Sequence, residues 1–384
     1  MSEQNELMQN ADGTEPSRQA GKTKTARESR FHIVKRDGVT LTQAIVIRLI
    51  AILLALLVCG LVGVLLTKTN PFAIYGAIFK GAIGSARRVM SLLQDTAMLL
   101  CVALAVTPAF KMRFWNTGAE GQVLVGGLAT AACMFYLGGK VPEGLLIVFM
   151  LIASLVAGAL WGIVPAIFKA KWGTNETLFT LMMNYVAMQL IQFCIMSWDK
   201  SGSAVIDPGD LRYGWLPELF GQKYVLNILV VACTCAAMYV YLKYSKQGYE
   251  ITVVGESENT ARYVGINVKR VIIRTMAISG AVCGLAGFLI VGGTSHSISK
   301  ETAGGRGFTA IMVSWLAKFN PLYMIMTSFL LVFLQKGAQE IATTQRLPEA
   351  FADILTGIIL FFIIGCEFFI NYRIAFRGKR KEEA

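Results

Sequence analysis

Blocks of about twenty mostly apolar residues recur along this chain and leave few folds open to it. Residues 44–66, 91–110, 145–168, 224–242, 271–291 and 351–370 are runs of this kind. A helix rises about 1.5 Å per residue, so such a run matches the ~30 Å hydrocarbon layer of a bilayer. Further apolar stretches at 123–137, 309–317 and 323–335, and one that begins within 173–187, bring the expected number of spans to ten. Charged residues are 16% of the chain, against about 25% in soluble domains. The expectation is an all-α polytopic membrane protein. Residues 67–90, with Pro71, Tyr75, Lys80, Arg87 and Arg88, read as an interfacial amphipathic segment on the outer face.

The net charge of +12 admits two explanations. No basic stretch is interleaved with aromatics as a nucleic-acid surface requires, so no nucleic-acid partner is expected. The partner of these cations is the lipid bilayer, whose cytoplasmic leaflet is anionic. With ten spans and both termini cytoplasmic, inner segments hold 24 of the 36 Lys and Arg, counting Arg48 and Arg274 at the inner ends of their spans, and outer segments 12, as the positive-inside rule requires. Residues 1–40 read as a disordered cytoplasmic tail, 41–372 as the transmembrane domain and 373–384 as a basic cytoplasmic tail. Within the first tail, Gly21-Lys22-Thr23 imitates the end of a phosphate-binding loop. Neither the glycine spacing nor a preceding strand is present, so no ATP site is read there. The eight cysteines fall inside apolar spans without zinc-ligand spacing and read as inert thiols. No metal or other cofactor is expected.

Polar residues inside this apolar frame carry the functional signal. FWNTGAEGQ, residues 114–122, sets Asn116, Glu120 and Gln122 among glycines beside an apolar run. Irregular backbone at membrane depth is tolerated only where it is buried in protein or lines a cavity, and a charge there is a functional candidate. A cytoplasmic turn between helices is the competing reading. In GTNETLFTLMMNYVA, residues 173–187, Asn175 suits a helix N-cap, Glu176 the first turn, and Asn184 lies further along the same helix. A cap plus an interhelix amide explains that run equally well. A second glycine break, GGRGF at 304–308, has a counterpart in 118–121. Such paired interruptions are the mark of inverted repeats around a translocation path. The spacing Gly305-x-Gly307-x-x-Ala310 lacks a preceding strand and is not read as a dinucleotide fingerprint.

The long polar insert at 243–270 separates two apolar blocks. At its centre Ser257 is placed to cap a helix, Glu258 falls in its first turn, and Gly265 suits the left-handed residue that ends it. A helix of this size is about 10 Å long and unstable alone. It is therefore expected to rest on the membrane domain or a partner, a solvated loop being the alternative.

Three segments together resemble the permease subunits of ABC importers, in the group that handles nucleosides, sugars and branched-chain amino acids. FWNTGAEGQ is similar to the family's FNIGAEGQ signature, with Trp115 in the apolar position and Thr117 in place of isoleucine. GRGF at 305–308 matches its second glycine segment. TNE with LMMNYVA resembles the TNE…LMLNYIA run of nucleoside permeases, and purine nucleosides above all. The resemblance covers residues 44–372. It implies a cytoplasmic ABC ATPase subunit, a second permease subunit that is a distinct paralogue, and an extracytoplasmic substrate-binding lipoprotein; the polar loop 198–223 suits an outer loop that meets such a protein and reads equally well as an ordinary surface loop. It implies that Trp115, Asn116, Glu120, Gln122 and Phe308, with Asn175, Glu176 and Asn184, lie on or beside the path. It also implies that the insert is the coupling element, with Glu256, Ser257, Glu258, Asn259, Arg262 and Gly265 gripped by the ATPase. The chain itself is then not an enzyme. Permeation of a sugar or branched-chain amino acid is the nearest alternative. An ion-coupled secondary transporter is a further one, although its carboxylates (Asp95, Glu120, Glu176, Asp353, Glu367) mostly fall at the ends of the expected spans.

Overall fold

A computed structural model describes residues 31–35, 41–67, 71–198, 213–219, 221–347 and 349–376. The chain divides into two units, Arg48–Glu367 and a smaller one made of the two chain ends. In the smaller unit β1 (Phe31–Lys35) pairs antiparallel with β2 (Tyr372–Phe376), Ile33 opposite Ile374. Regular backbone thus occupies parts of both stretches read as tails. The remainder of those tails, and most of the outer loop 198–223, lies outside the described residues.

The larger unit is helical. In chain order come α1 (Leu41–Thr67), α2 (Pro71–Ile83), α3 (Ala86–Lys111), α4 (Ala119–Leu137), α5 (Glu143–Trp172), α6 (Glu176–Trp198) and α7 (Val225–Tyr244). Then follow α8 (Lys246–Glu256), α9 (Glu258–Tyr263), α10 (Val268–Ile290), α11 (Arg306–Leu316), α12 (Pro321–Thr344) and α13 (Glu349–Asn371). Among the described residues eight helices are long and apolar enough to cross a membrane. Two expected spans need correction. The eighth, α11, has only 11 residues, about 16 Å, which is too short to cross a ~30 Å hydrocarbon layer. The ninth does not stop at residue 335. α12 runs on to Thr344, because Lys336 and Glu340 find carboxylate and guanidinium partners on α3 instead of leaving for solvent.

α5 and α10 cross at a seam of small residues. Ser154, Gly158 and Gly162 recur every fourth position on α5, facing Gly280 and Gly284 on α10. A Cβ on Gly280 would overlap the Gly158 carbonyl. Backbones this close gain van der Waals contact without any help from hydrophobic transfer, which lipid does not supply.

The direction of the central helices follows from their contacts. Thr107 meets Ser314 at 3.0 Å and Asp95 meets Arg306 at 3.0 Å, so α3 and α11 run parallel. Gln122 lies with Ser279 around Asn116, and Gly126 lies on Gly284, so α4 and α10 run parallel. Gln94 bonds Thr294, in the π-helical turn Val291–Ser295 that continues α10, at 2.7 Å while Cys101 approaches Val282, so α3 and α10 are antiparallel. α3 and α10 are each followed by a break, and the helix after each break packs parallel to the other of the two, α4 along α10 and α11 along α3. This is the arrangement that two inverted repeats produce.

Candidate functional site

The two breaks meet. The N-terminal turn of any helix leaves backbone N–H groups without intrahelical partners, and at membrane depth no bulk water satisfies them. Glu120, in the first turn of α4, supplies the answer for α11. Its Oε1 accepts from Gly305 N–H and its Oε2 from Gly307 N–H, both at 2.7 Å. The carboxylate also sits at the positive end of the α11 dipole. Only 4% of Glu120 is exposed. Gly307 must be glycine here, since a Cβ would overlap the backbone of Glu120. Gly305 takes φ of +71°, a conformation that glycine adopts without strain.

α4 is served from other helices in turn. Asn184 on α6 accepts from Gly121 N–H at 2.8 Å through Oδ1 and donates to the Thr117 carbonyl at 2.9 Å. Asn116 accepts from Gly118 N–H at 3.1 Å, donates to Ser279 Oγ at 3.3 Å and lies 3.4 Å from the Gln122 amide. Thr117 and Thr180 share a hydroxyl contact at 3.0 Å. Asn116, Glu120, Gln122 and Asn184 therefore converge on one buried junction. Asn175 and Glu176 do not join it. Asn175 caps α6, accepting from Thr177 and Leu178 N–H at 3.1 and 3.2 Å, and Glu176 pairs with Lys169 at 2.8 Å.

Trp115 and Phe308 belong to a different surface. Trp115 is 46% exposed and stacks on Trp315, itself 48% exposed, with ring centres 5.5 Å apart. Phe110 and Phe319 close the cluster edge-on at 5.8 and 5.4 Å. Phe308 and Trp315 are two turns apart on α11 and so share one face. Trp315 escaped the sequence reading because its run looked like an ordinary apolar span, and only the break in the chain brings Trp115 to it.

The insert packs against the C-terminal end of α3, where Gly255 lies on Lys111 and Met112. Ser257 does cap α9, its Oγ accepting from Thr260 N–H at 3.2 Å, and Gly265 has φ of +80°. Ile266 N–H bonds the Ala261 carbonyl at 2.9 Å and Gly265 N–H the Arg262 carbonyl at 3.0 Å, a Schellman stop. α8 was not anticipated. Ser245 caps it at 2.9 Å, and it ends where α9 begins. Ile251, Val254 and Ala261 are buried with Ala109, Met112 and Ile272, so the insert rests on the ends of α3 and α10. Glu250 pairs with Arg274 at 2.8 Å and fixes α8 to α10. Tyr263, by contrast, is 91% exposed at the tip of α9, next to exposed Val264.

Residues 88–364 match the family described as branched-chain amino acid transport system / permease component. The guanosine ABC transporter permease protein NupP of Bacillus subtilis is 30% identical over 88% of this chain and 97% of its own length. The nucleoside ABC transporter permease protein NupB of Lactococcus lactis is 29% identical over 84% and 91%. The glucose ABC transporter permease protein TsgB13 of Haloferax volcanii is 27% identical over 85% and 89%. With most of its length matched and its helices apolar, the chain belongs to this family. It is a multi-pass plasma-membrane permease subunit of an ABC importer, without a catalytic site of its own, ATP hydrolysis falling to a separate subunit.

Proposed function

We propose that the chain, with a second and distinct permease subunit, forms the translocation path for nucleosides, purine nucleosides foremost, handed over by an extracytoplasmic binding lipoprotein. The observation that carries this reading is the half-exposed Trp115–Trp315 stack, continued along α11 by Phe308. A nucleobase has two flat π faces, and stacking on an aromatic side chain contributes about 1–3 kcal/mol per base. Names among the relatives point the same way, since guanosine and nucleoside permeases match this chain nearly end to end. The buried junction at Glu120 holds the two half-helices beside this face and does not itself meet substrate. Membership of an ABC family sets aside ion-coupled transport.

Coupling falls to residues 256–265. α9 is fixed at its base by the buried cluster and presents Tyr263 outward, which suits a cytoplasmic ABC ATPase as its partner. Both chain termini then lie in the cytoplasm. Labelling of single cysteines in a background without the native eight checks this. An impermeant maleimide should label Glu218→Cys but not Asn259→Cys in intact cells.

A sugar is the second reading, favoured by the glucose relative. Uptake of labelled guanosine and glucose by cells with the whole importer separates the two. Guanosine import should require ATP, and Trp315→Ala should lower it about tenfold. Glucose import that ignores Trp315→Ala, with no guanosine import, would remove the nucleoside reading.

A further inference from the structure

Beside the junction, between α3, α11 and α12, lies a cavity of about 220 Å³ lined by Asp95, Arg306, Thr309, Gln335, Lys336 and Gln339. Its charged side chains form one network. Asp95 Oδ1 accepts from Arg306 at 3.0 Å and Oδ2 from Lys336 at 2.6 Å, while Lys336 also reaches Ser91 Oγ at 3.2 Å. Charges inside spanning helices are costly and face cavities or one another. Here they do both. Asp95 lies within α3, not at its end, and the two cations that hold it come from helices the sequence cannot place beside it.

The network does not exhaust its hydrogen-bonding capacity. A guanidinium has five N–H groups, and Arg306 commits one to Asp95 and one to the Ala303 carbonyl. The side-chain amides of Gln335 and Gln339 take no partner among the described residues. The lining therefore offers donors and acceptors side by side. A ligand hydroxyl both donates and accepts, and two adjacent hydroxyls satisfy an amide, a carboxylate and a cation together. Other ligand classes fit worse. A phosphate meets the Asp95 carboxylate at the centre. The ammonium of a free amino acid meets two cations. An apolar chain leaves every polar group unsatisfied. The volume is below the roughly 300–1,000 Å³ of sites for drug-sized ligands, so it takes a single ring, not a whole nucleoside.

We infer that this cavity is a subsite for the adjacent hydroxyls of a polyhydroxylated substrate, which is the ribose ring under the function proposed above. It rests on that reading only for the identity of the sugar. Gln335 is the residue that reports it, because it lines the cavity without bracing another helix.

The test uses cells with the complete importer and saturating labelled substrate: guanosine with 2′,3′-dideoxyguanosine, glucose with 2-deoxyglucose, and leucine. Gln335→Leu should lower import of the hydroxylated compound about tenfold relative to its deoxy partner, and Gln335→Asn should restore most of it. An equal loss for both members of a pair, or no loss, overturns the subsite. Wild-type import of glucose but not guanosine overturns the nucleoside reading alone, and the glucose pair then decides the subsite. Import of leucine and of neither hydroxylated compound overturns both.

Discussion

The junction at Glu120 and the short helix α9 are both built around helix ends, yet they are finished in opposite ways. At the junction, helix N-termini are closed by side chains from elsewhere in the chain, Glu120 for α11 and Asn184 for α4, both of them buried. In α9 both ends are closed from within a span of ten residues, by Ser257 and by the turn at Gly265, and the outer face is left bare. The first arrangement is what a fixed point within a membrane demands, because no water can replace a lost partner. The second is what a docking lever demands, because it keeps its shape while its outer side waits for another protein. The contrast predicts that junction variants act through the fold of the path and α9 variants through the ATPase.

Glu120→Gln strikes the contrast hardest. An amide has one acceptor oxygen, so one of the N–H groups of Gly305 and Gly307 would face an NH₂ instead. A buried donor left unmet costs about 1–3 kcal/mol, and the surviving bond loses its charge. Uptake should fall at least about tenfold, and α11 should become accessible to proteolysis in purified protein. Wild-type uptake by this variant would show that the junction is not a fixed point.

Asn184→Ala comes next. It leaves Gly121 N–H and the Thr117 carbonyl without their partner and opens a small gap on α6. The expected loss is about 1–3 kcal/mol, read as a lower midpoint of thermal unfolding in detergent. ATPase stimulation per folded complex should stay near wild type, as a purely positioning residue requires.

These two residues also mark how far the sequence could be read. The amides and the carboxylate stood out as polar groups in apolar runs, and hydropathy placed most spans. Ser257 and Gly265 were legible as cap and stop because capping is a local rule satisfied within a few residues. The partner of Glu120 was not legible, since Gly305 and Gly307 lie some 185 residues away and no local rule joins them. The last nine residues of α12 were missed for the same reason. Lys336, Gln339 and Glu340 look like the start of a loop until Asp95 and Arg88 are brought beside them. Helix α8 was hidden by the mixed residues of KQGYEITVVGE, whose apolar positions face a cluster contributed by other helices.

Gly265→Val tests the other side of the comparison. At φ of +80° a side chain is strained by about 1–2 kcal/mol, although nothing lies within 4 Å to clash with it. The cost thus falls on the direction of the helix end and not on packing. The variant should reach the membrane in normal amount. It should hold the ATPase weakly and lose most substrate-stimulated hydrolysis. Full stimulation with a correctly inserted variant would separate α9 from coupling.

The smallest effect is expected from Glu258→Ala, and its smallness is informative. Glu258 and Arg262 pair at 3.2 Å, four residues apart in the favourable acid-first order, with half or more of each side chain exposed. Solvent screens such a pair to about 0.3–0.5 kcal/mol, and Glu258 adds a similar increment at the positive end of a helix of six residues. Neither is enough to unfold a helix that Ser257 still caps and that Ala261 still anchors in the buried cluster. If α9 were only a solvated turn, this substitution would change nothing measurable. If it docks an ATPase through its exposed face, losing a charge at that face should weaken the complex two- to fivefold, roughly one kcal/mol or less. The loss should appear mainly in the association rate and should shrink as salt rises. A salt-independent loss would instead mean that the pair matters for the shape of α9 and not for its meeting with the partner.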